Sequence, residues 1–368
     1  MLGATNLMSD SNGMFGALPD TRWYGKKGIR DGCLVYPYFD AWIRKESVVP
    51  LLPESSYRAP RCFSNCHIQT VFPSLLRRVS GVVYQRERIE TPDCDFLDLD
   101  FSRKGFDRIA VVLHGLEGDA HRHYVMGMAK ALNRAGWDTA AMNFRSCSGE
   151  CNRQLRFYHS GETDDLRLVL SHVSGSNQYK EIALVGFSLG GNVILKYLGE
   201  SGEDRHPLVR KAVVFSVPCD LKACALKISH PSNRLYLKRF MRMLRKKVRA
   251  KMTIMPDKIN DHGFEDLKTF QDYDDRYTAP IHGFKDALDY WKKCSCKQFL
   301  SGISIPTLLV NAADDPFLTE ECYPKREALE SPFLHLEIPD HGGHVGFIAF
   351  NARGEYWSET RTVEFLAH

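Results

Sequence analysis

Residues 186–191 read GFSLGG, set between the apolar run Ile182–Val185 and the helical pattern NVILKYL of residues 192–198. A strand, a glycine turn and a helix follow one another directly, which places Ser188 at the apex of a sharp bend. A serine held this way stands clear of the sheet, and the helix N-terminus behind it favours negative charge developing on its oxygen. Gly186 and Gly190 flank it at positions where a side chain would collide, so the GxSxG spacing has a steric reason. As a bare pattern it also arises by chance in Gly/Ser-rich loops. The β-branched run before it and the helical periodicity after it favour Ser188 as a nucleophile.

A nucleophilic serine needs a base, a carboxylate to orient that base, and donors for the oxyanion. The chain offers them in the order Ser, Asp, His. After the apolar strand of residues 305–312 come Ala313, Asp314, Asp315 and Pro316. Two carboxylates thus leave the carboxyl end of a strand, where sites on parallel sheets lie. Asp315, next to the proline turn, is the expected orienting carboxylate, with Asp314 as the alternative. Without Ser188 the same pair would read as turn formers capping a helix from Thr319.

Near the end, PDHGGHVGF (residues 339–347) supplies two histidines. His344 follows two glycines that let the loop bend inward and precedes an apolar anchor, so it is the expected base. His341, beside Pro339 and Asp340, is read as shaping the loop. The oxyanion donors are expected to be the backbone N–H groups of Leu189 and of Leu116, which follows strand residues 108–115. His114 and Asp119 also fit an HxxxxD acyltransferase spacing, but the glycine turn that forms the hole explains them sufficiently.

Four stretches carry a resemblance to the YheT-like hydrolases, the AB hydrolase 4 family. They are CHIQT (66–70), HGLEGD (114–119), the block MNFRSCSGECNRQLRFYHSGETDDL (142–166), and GFSLGGN with NAADDPF and GGHVGF. Together they span about residues 60 to 350, and the long middle block is the most specific. The resemblance implies an α/β-hydrolase fold, a Ser188, Asp315, His344 triad and a carboxylic ester substrate. Relatives include lipases acting on monoacylglycerols or phospholipids and enzymes that make or cleave medium-chain esters. The family's arginine-glycine pair reads Arg145 and Ser146 here, which puts the local loop geometry in doubt.

In the middle block, Arg145, Glu150, Arg153, Tyr158, His159 and Asp164 are expected to pair among themselves and stiffen a loop at the active-site edge, with substrate contact as the alternative. His67 and Gln69 are expected as packing or hydrogen-bonding residues.

Strands are expected near 80–90, 95–101, 108–114, 138–144, 180–187, 210–217, 305–311 and 333–338, with helices between the later ones. This alternation predicts a mostly parallel sheet with helices on both faces. The gap from Pro218 to Gly302 predicts an inserted helical cap. The expected organisation is a variable tail and arm over 1–55, a first core part over 56–218, the cap over 219–301 and a second core part over 302–368. Residues 42–77, with four prolines, read as an extended arm.

Within the cap, Leu237, Phe240, Met241, Leu244 and Val248 recur at helical spacing among many lysines and arginines. No acidic residue occurs from 221 to 256, whereas the stretch from Asp257 is acid-rich. The basic face is read as pairing with that stretch, and membrane-surface docking is the alternative.

A net charge of only +4 and the lack of a reading motif argue against nucleic acid as a partner. Eleven cysteines, an odd number with no secretory spacing, predict a reducing cytoplasm. Cys147 and Cys151 have no second pair at ligand spacing, so no metal and no cofactor is expected. No apolar run is long enough to cross a bilayer, and no signal-peptide order is present.

The expected activity is a serine hydrolase of short- to medium-chain acyl esters or monoacylglycerol-type lipids. Acyl transfer to an alcohol or thioester cleavage would use the same triad. A non-catalytic lipid-binding scaffold is the alternative from another class, and the complete triad argues against it.

Overall fold

The computed structural model describes residues 54–368, together with Leu52 and the short antiparallel pair β1 (Ile29–Arg30) and β2 (Cys33–Leu34). That pair lies in a separate compact unit, Met1–Val48, and the tail expected over the first residues falls outside the described ones.

The sheet has eight strands: β3 (Gln85–Glu90), β4 (Phe96–Ser102), β5 (Arg108–Leu113), β6 (Asp138–Asn143), β7 (Glu181–Phe187), β8 (Val209–Phe215), β9 (Thr307–Val310) and β10 (Leu334–Glu337). Their spatial order is β10-β9-β8-β7-β5-β6-β4-β3. β4 pairs antiparallel with both β3 and β6, and every other pairing is parallel. The inner stretches of β5 (Ile109–Leu113), β7 (Ile182–Val185) and β8 (Ala212–Phe215) are continuously apolar because both faces are covered there. Ile109, Val111 and Leu113 of β5 face one cluster with α3 (Thr163–Gly175) and α4 (Leu189–Ser201). Ala110 and Val112 face the other, with α2 (His123–Arg134) and the C-terminal helix Trp357–Ala367. This is the α/β-hydrolase arrangement, and it sets the carboxyl ends of β5, β6, β7, β8 and β9 along one edge.

Before the sheet, the chain differs from the extended arm expected. Residues Cys66–Leu76 form helix α1, with Pro73 inside it. Asn65 starts the helix by accepting from the N–H groups of His67 and Ile68 at 2.9 and 3.2 Å, a side-chain cap that outweighs the proline signal.

Between β8 and β9 the chain builds a helical layer. It contains α5 (Leu221–Ser229), α6 (Arg234–Met252) and the helix Ala287–Cys294. Leu237, Met241, Leu244 and Val248 of α6 bury the expected stripe in a cluster of their own, against Phe264, Tyr273 and Trp291.

Candidate functional site

Ser188 joins β7 to α4 with φ of 53°, a left-handed conformation that a side-chain-bearing residue adopts only when its surroundings impose it. Two glycines make this bend sterically accessible. A Cβ on Gly186 would lie 2.8 Å from the Gly191 backbone, and one on Gly190 would lie 2.6 Å from the carbonyl oxygens of Leu113 and His114. The second contact shows that the spacing also lets α4 press against the end of β5.

Ser188 Oγ lies 3.0 Å from His344 Nε2, and His344 Nδ1 lies 2.8 Å from Asp315 Oδ2. A carboxylate only accepts, so Nδ1 carries the proton and Nε2 is left to accept the serine O–H. The Asp315 side chain is fully buried, and its other oxygen accepts from the Phe317 N–H at 2.9 Å. The Phe317 ring packs on His344 with centroids 4.5 Å apart.

The alternatives form a second, parallel pair. Asp314 Oδ2 lies 3.2 Å from His341 Nδ1, and Asp314 Oδ1 accepts from the Gly343 N–H at 2.9 Å. Burial raises the Asp314 carboxyl above its ordinary value. The His341 side chain is 44% exposed and makes no hydrogen bond to Ser188. Asp314 and His341 therefore brace the loop that delivers His344.

The Leu189 N–H opens α4 and so has no partner in its own helix. Leu116 follows the end of β5, and both leucines line the same cavity as Ser188 and His344. His114, by contrast, is fully buried with its pKa lowered to about 3 by desolvation. Its Nε2 accepts from the Phe144 N–H at 3.2 Å and its Nδ1 faces the Gly115 carbonyl at 2.7 Å. Both nitrogens are spent on backbone groups, one in the turn and one just after β6, so an acyltransferase role for His114 has no geometric support.

The middle block is densely hydrogen-bonded, but the partners of the six named residues differ from those expected. Arg145 binds both oxygens of Asp165 at 2.9 and 2.7 Å and reaches Asp93 and Asp95 at 2.8 and 3.1 Å. Arg153 pairs with Glu90 and Glu150 with Arg88. The block is thus tied to itself through Arg145–Asp165 and Arg156–Glu162, and to the β3–β4 hairpin, which lies beside it because antiparallel β4 runs alongside β6.

The loop that carries His344 is held by Thr70 and by Gln69, which takes the hydrogen-bonding place expected of it, and by Ser216, which no motif reveals in the sequence. Thr70 Oγ1 accepts from the His344 N–H at 2.9 Å, and Ser216 Oγ accepts from the Val345 N–H at 2.9 Å. Gln69, fully buried, donates to Tyr57 at 2.7 Å and accepts from the Ile348 N–H at 3.0 Å. CHIQT is therefore a clamp on the histidine loop. On the other side, Glu117 has φ of 54° and its carboxylate accepts from Tyr158 at 2.7 Å and from Lys247 of α6 at 2.8 Å.

Lys247 is buried, as is Lys251, whose ammonium donates to the Asn152 and Gln154 carbonyls at 2.5 Å. Arg245 and Arg249 both pair with Asp261, at 2.9 and 2.7 Å. Arg245 and Arg249 thus pair with the acidic stretch as expected, while of the neighbouring Arg242, Lys246 and Lys247 only Arg242 and Lys246 remain exposed and unengaged by acidic partners among the described residues. No described helix is long and apolar enough to cross a membrane, and no described cluster of His, Cys, Asp and Glu could hold a metal ion.

A cavity of about 130 Å³ opens at Ser188 under the helical layer, walled by Phe157, Ile228, Leu244, Phe270 and Trp291 among others. A second cavity, also about 130 Å³, shares Leu116, Ser188, Phe240 and His344 with it and extends toward Ser74, Arg122 and Arg239. The serine sits where the two meet.

Residues 111–349 match the family described as alpha/beta hydrolase fold. YheT of Escherichia coli (strain K12) is 37% identical over 313 residues, covering 83% of this chain and 91% of its own length. Phospholipase ABHD3 of Mus musculus is 27% identical over 309 residues, 81% of this chain and 74% of its own. Medium-chain fatty acid ethyl ester synthase/esterase 2 of Saccharomyces cerevisiae (strain ATCC 204508 / S288c) is 26% identical over 282 residues, covering 70% and 61%. Among solved structures, the Pyrococcus furiosus esterase Pf2001 shares the fold with a TM-score of 0.55 at 17% identity, covering 84% of this chain and 98% of its own.

Proposed function

This chain belongs to the YheT-like α/β-hydrolases and is a carboxylic ester hydrolase, and we propose that it cleaves short- to medium-chain acyl esters or monoacylglycerol-type lipids through a Ser188, His344, Asp315 triad. The continuous contact from Ser188 Oγ through His344 to buried Asp315 supports this reading. In it, His344 Nε2 takes the serine proton as Oγ attacks the acyl carbon. The oxyanion forms against the N–H groups of Leu116 and Leu189, and the alcohol leaves with the proton returned by His344. Asp315 keeps the imidazole in the required tautomer and favours the imidazolium. Water then repeats the sequence on the acyl-enzyme and restores Ser188.

The apolar cavity under residues 219–301, the proposed cap, suits the acyl chain, and the second cavity suits the alcohol. Room for an alcohol beside the acyl-enzyme also favours acyl transfer as a second reading. Adding ethanol to the reaction and measuring the ester-to-acid product ratio separates the two.

A fluorophosphonate probe and a p-nitrophenyl ester series test the triad directly. The probe is expected to label Ser188, and Ser188→Ala is expected to abolish both labelling and turnover. Turnover equal to that of the unmodified protein in the variant would overturn the proposal.

A further inference from the structure

The cavity beside Ser188 is walled by apolar side chains interspersed with polar ones, and two of the polar ones, on consecutive residues, take no part in the apparatus around the serine. Tyr273 and Asp274 both line it, where the short helix Phe270–Tyr273 passes into a π-turn, Asp274–Thr278. There the Ala279 N–H bonds back to the Asp274 carbonyl, five residues earlier. Such widened turns interrupt a helix at a cost in regularity and recur where a side chain serves a function.

Tyr273 is 5% exposed, and its hydroxyl makes no hydrogen bond among the described residues. Asp274 is also buried. Its Oδ1 accepts from Thr278 at 2.6 Å and its Oδ2 from the Trp291 indole at 2.8 Å, and no cationic side chain among the described residues pairs with it. Each carboxylate oxygen can accept about two hydrogen bonds, so acceptor capacity remains on both. Burial pushes this carboxyl up to about 7. The chain thus places an unpartnered donor and an under-used acceptor on consecutive residues in the wall of one cavity. A plain alkyl chain would leave both unsatisfied, whereas an alcohol, which donates and accepts at one oxygen, completes both.

We propose that Tyr273 and Asp274 form a hydroxyl-recognition site within the acyl cavity, so that the enzyme selects acyl chains bearing a hydroxyl group over unsubstituted ones. The placement of the chain rests on the reading of Ser188 as the nucleophile.

Binding and turnover test it separately. With the full-length Ser188→Ala protein, titration of methyl alkanoates and the matching methyl ω-hydroxyalkanoates from butanoate to decanoate, followed by tryptophan fluorescence and calorimetry, measures recognition without catalysis. At one chain length the hydroxy ester is expected to bind about fivefold tighter, the worth of one net hydrogen bond. Tyr273→Phe removes only a hydroxyl that has no partner among the described residues, and is expected to bring that ratio to about one. Asp274→Asn is expected to lower it as well. Equal binding of the plain and hydroxylated esters at every length, or a ratio unchanged in Tyr273→Phe, overturns the site. The active enzyme is then given p-nitrophenyl alkanoates and their ω-hydroxy counterparts, and the kcat/KM ratio within each variant is compared. If the hydroxy-ester preference holds while no ester is cleaved, the nucleophile reading fails and the recognition site stands.

Discussion

The carboxyl edge of the sheet and the helical layer of residues 221–302 hold their functional side chains in different ways. At the edge, position comes from backbone: Ser188 follows β7, Ser216 follows β8, and Asp314 and Asp315 follow β9, each within a few residues of a paired strand end. In the helical layer, position comes from side-chain partners: Lys247 is held by Glu117, Lys251 by the carbonyls of the middle block, and Asp274 by Thr278 and Trp291. Backbone-set groups are tuned by small shifts of register or exposure. Partner-set groups are coupled, so removing one leaves another buried and unsatisfied.

The largest effects are expected at the edge, between two pairs that differ by one residue. His344→Ala should reduce kcat by a factor of about 10³ or more, since only oxyanion and binding effects remain. Asp315→Asn should fall in the same range with an unchanged melting temperature. His341→Ala and Asp314→Asn should keep kcat within about tenfold, because they brace the loop and do not touch the reacting atoms. A severe loss in Asp314→Asn with activity retained in Asp315→Asn would reverse the assignment.

A smaller effect is expected where the two regions meet. Lys247→Gln leaves the Glu117 carboxylate buried without its cation, beside the proposed donor Leu116. It should cost about 3 kcal/mol or more in denaturant unfolding and lower kcat on a soluble ester more than it raises KM. Lys246→Gln, one residue away and exposed, should lie within about 0.5 kcal/mol of the unmodified protein. If the two variants match, the cation is not positioning the loop.

The smallest expected signature is a slope with pH. The Asp274 carboxyl, raised to about 7 by burial against an ordinary 3.8, binds a proton more readily in the folded state. Its contribution is fully present below about pH 4 and is lost as pH rises through about 7, a few kcal/mol at most by linkage. Denaturant unfolding of Asp274→Asn across that window should therefore show stability gaining on the unmodified protein as pH rises. The groups facing this carboxyl are Asp275, Tyr273 and Tyr290, none of them cationic. Parallel pH profiles would place the Asp274 proton elsewhere.

The reach of sequence reasoning follows the same division. The eight strands lie within a few residues of their expected bounds, because those buried on both faces carry short apolar runs, while β4 alternates apolar and acidic residues. His344 and His341 are separable in advance because glycines and an apolar anchor are local signals. Helix α1 is not, since its prolines read as an extended arm while one asparagine cap decides otherwise. The basic helix shows the limit most clearly. Its apolar stripe is periodic and visible, and helical spacing sets Lys247 at the edge of that stripe with Lys246 on the opposite face, yet nothing along the chain names Glu117 as the partner Lys247 is buried against.

By itself the sequence determined the order of strands and helices, the serine bend and the set of groups available at the sheet's edge, since these follow from periodicity and turn sterics within a few residues. Only the tertiary structure decided which carboxylate meets which imidazole, that α1 clamps the histidine loop, that Arg145 draws in Asp93, Asp95 and Asp165, and that Tyr273 and Asp274 face the cavity. Those outcomes depend on partners brought from distant parts of the chain and on which charges burial leaves without water, and neither is written in the neighbouring residues.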